Sequence, residues 1–387
     1  MPGRECRDNL KSLLLASTIF LLAFTYTLYV VVLYPLLAMI WARFVAKPIE
    51  KRWTPRTVSI LLPVHNGDRW LADKLRSIRE LDYPQELVET IVISSASHDD
   101  TVKIANEHAG ARFRVLEVDE PGKGRALNAG LAIAQGEILF FTDVRQWLAA
   151  DSLRRLVENF ADPKVGVVSG ELVIREGNSF EEASVGLYWK YEKVIRAAQS
   201  AIGSVAGATG AIYAMRRELA RTLPDRVLLD DVYQPLCAYF QGYRITWEPG
   251  AKAFDYPASL KTEFRRKVRT LAGVYEIIGM FPGLLAPNHQ LWIHFVSHKF
   301  GRLLLPYALI ALLASSFFLP GQWKYLAVGA QAAFYSLALL DQVVPDQFFG
   351  KRLSAPAGTF VALMAAAVVG AGAVLFNSTD KLWKPTR

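Results

Sequence analysis

Two acidic elements carry the chemistry this chain can do. Leu229-Asp230-Asp231-Val232-Tyr233 sets adjacent carboxylates in a turn, and Phe140-Phe141-Thr142-Asp143-Val144-Arg145 ends an apolar run on an isolated aspartate. Adjacent carboxylates repel, which raises the pKa of one and suits it to general-base work. The same pair also suits the N-terminus of a helix, where the dipole favours negative charge. Asp143, at the end of a strand on the predicted ligand edge, can ligate a metal or hydrogen-bond a ribose and diphosphate; capping the next helix is the lesser alternative. Gly207-Ala-Thr209-Gly210 is a small-residue turn that either lets a ligand approach the backbone or simply turns the chain. Glu263-Phe-Arg-Arg266-Lys-Val-Arg269-Thr270 is a basic helical segment whose Arg266 and Arg269 can grip a diphosphate or anionic lipid headgroups. Lys123 and Arg125 flank Gly124 and face either a phosphate or solvent. His298, Lys299 and Arg302 open an apolar segment, where snorkelling at a membrane surface accounts for them.

These residues sit in a block of alternating elements, residues 56–260. Val58–Pro63, Thr90–Ser94, Phe113–Val118 and Glu137–Thr142 read as strands. Helical stretches lie between them: one around Trp70, Leu71, Leu75 and Ile78, then Thr101–His108 and Gly124–Ala134. This βαβα rhythm predicts an α/β fold, a mostly parallel sheet with helices on both faces. Ligands bind beyond the carboxyl ends of such strands. His65-Asn66, Ser94–Asp100 and Asp143–Arg145 all fall there.

Membrane-compatible segments fence the block. Residues 13–44 carry no charge before Arg43, which is longer than a bilayer needs. They read as one helix with Pro35 as a kink, following a tail at 1–12. Arg43, Lys47, Lys51 and Arg52 then place the block in the cytoplasm. Residues 261–297 form a basic and interfacial stretch. Three further spans are expected within 298–376, near 300–319, 323–344 and 357–376, with a tail at 377–387. One span before the block and three after put the C-terminus outside, yet that tail is basic and prefers the inside. Spans free of interior charges argue against a transporter; Asp341 and Asp346 sit near a span end. The net charge of +8 and the 52% apolar content over 387 residues fit a membrane protein with cytoplasmic loops. No basic run interleaved with aromatics points to nucleic acid. The two cysteines, Cys6 and Cys237, lie far apart and form no disulfide scaffold or cysteine zinc site.

Taken in order, these segments resemble the membrane-bound family 2 glycosyltransferases of GT-A fold. The matching pieces are Val58–Asn66, Leu81-Asp-Tyr-Pro84, Ile91–Thr101, Gly122-Lys-Gly-Arg-Ala-Leu-Asn-Ala-Gly130, Gly136–Asp143, Gly207–Ala214, and Leu229–Tyr233 with Gly242-Tyr-Arg244. Tyr34-Pro35 and Ser297-His-Lys299 look like the polysaccharide-synthase-like branch. The resemblance implies an inverting transfer of a sugar from a nucleotide-sugar donor to a glycan or lipid-linked acceptor at the cytoplasmic membrane face. It makes Asp231, with Asp230 beside it, the general base. It assigns donor binding to Pro63, His65, Asn66, Ser95, Lys123, Asp143 and Arg145, and acceptor binding to Gly207, Thr209 and Gly210. A divalent cation, Mg or Mn, on Asp143 is the family's usual means of holding the diphosphate.

The chain departs from the pattern on the donor side. Gly67 stands where a glutamate is usual, Ser95 where an aspartate contacts the base, and Arg145 where the second aspartate of the DxD motif ligates metal. The QxxRW motif is reduced to Arg266-Lys-Val-Arg269-Thr270. Arg145 repels a cation and is expected to pair with Asp143 and neutralise diphosphate itself, which argues against metal dependence. These changes also raise an alternative: a degenerate scaffold for another synthase.

Overall fold

The computed structural model describes residues 2–174, 180–225, 227–256, 260–345 and 350–376. The basic tail and Asp346 lie outside them. The centre is an eight-stranded mixed sheet of order β3-β2-β1-β4-β7-β6-β8-β5. Its strands are β1 (Val58–Val64), β2 (Val88–Ser95), β3 (Phe113–Val118), β4 (Ile138–Phe141), β5 (Trp147–Leu148), β6 (Val165–Ile174), β7 (Tyr213–Arg216) and β8 (Arg244–Asp255). β1 runs parallel to β2 and β4, and β2 parallel to β3. These are the strands read from the sequence. β7 then runs antiparallel to both β4 and β6, and β5 antiparallel to β8.

β1 and β4 are buried almost throughout, as their nearly continuous apolar runs require of central strands. The helices of the block are α3 (Asp68–Arg79), α4 (Thr101–Asn106), α5 (Lys123–Ile133), α6 (Ser152–Glu158), α7 (Phe180–Ile202) and α8 (Asp230–Phe240). Leu71, Leu75 and Ile78 of α3 pack with Leu62, Phe140 and Leu153 on one face of the sheet. Ala126 and Leu127 of α5 pack with Leu61, Ile93 and Phe141 on the other. The helix–sheet–helix layering expected of the α/β fold is therefore present.

Outside the sheet lie α1 (Pro2–Leu28), α2 (Tyr34–Val45), α9 (Leu260–Met280), α10 (Leu291–His294), α11 (Gly301–Ser316), α12 (Gln322–Leu340) and α13 (Lys351–Leu375). α1 and α2 join through a π-helical turn, Tyr29–Leu33, just before Pro35. A proline lacks its own N–H and clashes with the carbonyl a turn earlier, and the wider turn relieves both. Among the described residues three helical segments are long and apolar enough to cross a membrane: Leu10–Val45, Leu291–Ser316 and Lys351–Leu375. α12, expected as a fourth span, is not among them. It carries Lys324 and Gln331, and Gln331 turns its amide to Ser316 Oγ at 2.6 Å.

The C-terminal half of α13 lies against α9. A side chain at Gly370 would meet Ala272 N and Val268 O at 3.1 Å. Val374 joins the cluster in which Leu229 and Val232, beside the acidic pair, pack with Ala272, Phe295 and Leu303. α13 therefore ends on the side of the sheet domain. The stretch after α9 also docks there: Phe281 stacks on Phe240 of α8, with centroids 5.6 Å apart.

Candidate active site

Three chain segments meet at the carboxyl ends of β1, β2 and β4. Gly122 takes φ +152°, a conformation that favours glycine, and turns the chain into α5. The turn aims Lys123 back over the sheet. Its ammonium lies 2.9 Å from Asp143 Oδ1 and 3.2 Å from Asp230 Oδ2. Burial alone would lower its pKa, but Asp143, Asp230 and Asp231 together hold it above the ordinary lysine value. Lys123 is thus a fixed cation bridging the two acidic elements.

Asp230 and Asp231 form the first turn of α8, so they do occupy a helix N-terminus. That placement also directs Asp231 at the glycine turn. Gly210 N–H donates to Asp231 Oδ2 at 3.1 Å, and Ala208 N–H donates to the Asp231 carbonyl at 2.7 Å. A Cβ at Gly210 would stand 3.1 Å from Asp231 Oδ2, and Gly207 takes φ +124° against Val232. Ala208 and Gly210 therefore seat the aspartate with Gly207 giving the room, while Thr209 turns away to Ser169 and Arg196. Burial, then the neighbouring Asp230 carboxylate, push the Asp231 pKa up to about 6, against the pull of Lys123. A carboxylate poised there is ionised at neutral pH and basic enough to accept a proton.

At the other end of the site, His65 Nδ1 donates to the Ser95 carbonyl and Asn66 sits at φ +50°. Asn66 Oδ1 accepts from His98 N–H at 2.8 Å, and Ser95 Oγ accepts from Gly122 N–H at 2.9 Å. Pro63, His65, Asn66 and Ser95 thus line one edge with the Gly122 turn. Gly67 is a packing residue: a Cβ would stand 2.5 Å from Val64 Cγ1, and its N–H donates to Thr101 Oγ1 at 2.8 Å.

The pair expected between Asp143 and Arg145 is not formed. Arg145 bonds to Asp255, a buried carboxylate that also accepts from Gln146 Nε2 at 2.8 Å. Asp143 takes Lys123 instead. β8 carries Asp255 alongside the loop after β4, through pairing with β5, and so offers Arg145 a desolvated partner. Arg266 lies close enough to Arg145 for mutual repulsion and pairs with Glu263 at 3.0 Å; burial, then Arg145, lower its pKa. Arg269 is exposed on α9.

Two residues not singled out from sequence complete the site. Lys74 of α3 is 1% exposed and donates to Thr142 Oγ1 at 2.6 Å and to the Gln146 carbonyl at 2.7 Å. Burial drives its pKa down to about 7, with Asp143 opposing. Its signal in the sequence was a lysine one residue before Leu75 on the apolar face of α3. Tyr213 of β7 stacks on Phe141 at 4.4 Å, and its buried hydroxyl has no hydrogen-bond partner among the described residues. Burial, then Asp230, Asp231 and Asp143, raise its pKa well above the ordinary tyrosine value.

Asp143 is engaged by the Lys123 ammonium, and Arg145, at the second position of the motif, is turned to Asp255.

Residues 59–223 match the model of glycosyl transferase family 2, and residues 143–343 that of glycosyl transferase family group 2. The chain belongs to the family 2 glycosyltransferases, and its sheet is the GT-A fold. It is 26% identical to the probable glycosyltransferase YdaM of Bacillus subtilis, over 58% of this chain and 56% of that protein. It is also 26% identical to the poly-beta-1,6-N-acetyl-D-glucosamine synthase of Staphylococcus epidermidis, over 57% and 55%. The chain thus spans about half the length of these relatives. The N-acetylglucosaminyltransferase of Rhizobium meliloti is 26% identical over 70% and 67%. Among solved structures, the Pyrobaculum calidifontis mannosyltransferase PcManGT, in complex with GDP-Man and Mn2+, superposes with a TM-score of 0.72 at 23% identity, covering 95% of this chain and 99% of that one. That likeness bears on the fold alone.

Proposed function

We propose that this protein is a membrane-bound inverting glycosyltransferase that moves a sugar from a nucleotide-sugar donor to a glycan or lipid-linked acceptor. The observation that carries the reading is the Asp143–Lys123–Asp230 bridge with Asp231 on the next residue, held by Gly210 N–H. The nucleoside lies along the edge formed by Pro63, His65, Asn66 and Ser95. Its diphosphate meets Lys123, with Arg145 and Arg266 on the flank. Asp231 takes the proton of an acceptor hydroxyl as its oxygen attacks the anomeric carbon. The bond to the nucleoside diphosphate breaks, and Lys123 neutralises charge developing on the leaving group. The basic flank Arg43, Lys47, Lys51 and Arg52 supports a cytoplasmic orientation of the domain.

The PcManGT complex contains Mn2+. In this chain the Lys123 ammonium already neutralises Asp143 and Asp230, so donor binding is expected to survive removal of metal. The test is calorimetric titration of UDP-N-acetylglucosamine, UDP-glucose and GDP-mannose, with and without EDTA. Binding of at least one donor, with an affinity that EDTA leaves unchanged, is expected. Binding that vanishes in EDTA contradicts the role given to Lys123. No binding of any donor favours the scaffold reading that Gly67, Ser95 and Arg145 raise.

A further inference from the structure

The loop after β4 is gripped from both faces of the sheet. From the face covered by α5, Lys123 takes the Asp143 carboxylate at 2.9 Å. From the face covered by α3, Lys74 reaches the groups on either side of that aspartate: the Thr142 hydroxyl at 2.6 Å and the Gln146 carbonyl at 2.7 Å. One ammonium thus closes residues 142–146, which carry Asp143 and Arg145, into a loop held at both ends. Gln146 anchors the far end, its side-chain amide donating at 2.8 Å to the Asp255 carboxylate that also takes Arg145. Both partners of Lys74 are neutral and both are buried, and an ammonium is costly to bury on neutral partners. A methionine there would fill a similar volume without that cost. Packing alone therefore gives no reason for a lysine.

Thr142 carries the contact onward. Its hydroxyl accepts from Lys74 and donates to the Ala211 carbonyl at 2.8 Å. Ala211 follows Gly210, whose N–H holds Asp231 Oδ2 at 3.1 Å. Lys74, Thr142 and Ala211 are all buried, so water does not compete for these bonds. A continuous chain of close contacts therefore runs from α3, through the donor loop, to the turn that seats the proposed base. Hydrogen bonds linked in this way reinforce one another. Transfer needs the anomeric carbon, held from the Asp143 side, and the acceptor oxygen, held from the Asp231 side, to approach within about 3–3.5 Å. A misplacement of about 1 Å costs about 100-fold in rate.

We propose that Lys74 is a positioning residue for transfer: through Thr142 it sets the Asp143 loop and the Asp231 turn at the spacing the reaction needs. The inference rests on the glycosyl-transfer reading above and names the residue that registers its two halves. Lys74 is sealed from solvent and touches neither donor nor acceptor. Its removal leaves each half able to hold its own ligand and loses the alignment between them.

The test combines amide hydrogen exchange with turnover, on the full chain in nanodiscs. The Ala208 and Gly210 amides both bond to Asp231. In Lys74→Met they should exchange about ten-fold faster, while the amides of β1 keep their protection. Thr142→Val should give the same acceleration, and Thr142→Ser, which keeps the hydroxyl, should not. Turnover is read as nucleoside diphosphate released from UDP-N-acetylglucosamine, UDP-glucose or GDP-mannose, whichever the unmutated chain binds. It should fall about ten-fold or more in Lys74→Met and in Thr142→Val, with donor affinity by calorimetry changed by less than about three-fold. The double variant should be no slower than either single one, because both break the same chain of contacts. Ile78→Val, a core change on the same helix, should lower the denaturant midpoint and leave turnover and exchange at the turn unaltered. Unchanged exchange at Ala208 and Gly210 in Lys74→Met overturns the proposal, as does a double variant slowed by the product of the two single effects. If Lys74→Met also loses protection throughout β1, the Thr142 pair decides, and equal exchange at the turn in Thr142→Val and Thr142→Ser overturns it. Absence of donor binding in the unmutated chain overturns the transfer reading, while the exchange rates still judge the link between loop and turn.

Discussion

At the scale of single residues, Asp231 combines two demands that pull against each other. Its pKa of about 6 makes it a base at neutral pH, and transfer should fall with unit slope below about pH 6 and level off above. The same shift costs stability. In the folded state the proton is held more tightly than in an unfolded chain, where the carboxylate titrates near 3.9. Above about pH 6 the fold must therefore keep a charge in a poorly solvated place, and below the unfolded pKa that cost is gone. Asp231→Asn should accordingly melt at a higher temperature than the unmutated protein at pH 7.5, with the difference closing near pH 4; thermal scans at both pH values check the sign. Lys123→Met acts oppositely. It leaves Asp143 and Asp230 facing each other without their shared cation, and donor affinity should drop at least ten-fold by calorimetry. The carboxylates were legible in the sequence because acidic residues at strand and helix ends announce themselves. Lys74 and Tyr213 were not: each is a polar tip on a residue that packs like core, and only the fold shows what the tip faces. The misplaced expectation for Arg145 has the same origin. Proximity in sequence suggested Asp143, while Asp255, far along the chain, is brought closer by β8.

At the scale of elements, the site depends on where helices begin. α5 and α8 start at the sheet edge, and their first turns carry Lys123, Asp230 and Asp231. Gly67 stands at the N-cap of α3, and its missing side chain lets Val64 close over it. A glutamate there cannot enter without displacing Val64. Gly67→Glu should therefore cost about 1–3 kcal/mol, visible as a lower denaturant midpoint, and should not improve donor affinity. A stable variant with tighter donor binding would show that the position had been misread. The parallel strands and their helices were readable from periodicity. The antiparallel β7 and the long pairing of β6 with β8 were not, because such partners are distant in sequence and carry no local signature.

At the scale of the whole molecule, charge counting along the sequence left a conflict: four spans with a basic tail on the wrong side. Three segments qualify as spans among the described residues, and α13 finishes against α9 beside the acidic pair's own cluster. The C-terminus should then emerge on the side of the catalytic domain, in keeping with the positive-inside tendency of Lys381–Arg387. A C-terminal fusion to a reporter active on only one side of the membrane decides this: signal from the cytoplasmic reporter is expected, and signal only from the outside reporter would return α12 to the count of spans. The account as a whole stands on Asp231 as the base of a transfer reaction whose donor is held by Lys123 and Asp143. Its most direct test compares Asp231→Asn with the unmutated chain in a single assay, donor affinity by calorimetry and sugar transfer by product mass. The account predicts unchanged donor affinity with transfer slowed about 100-fold or more; transfer at the unmutated rate would contradict it.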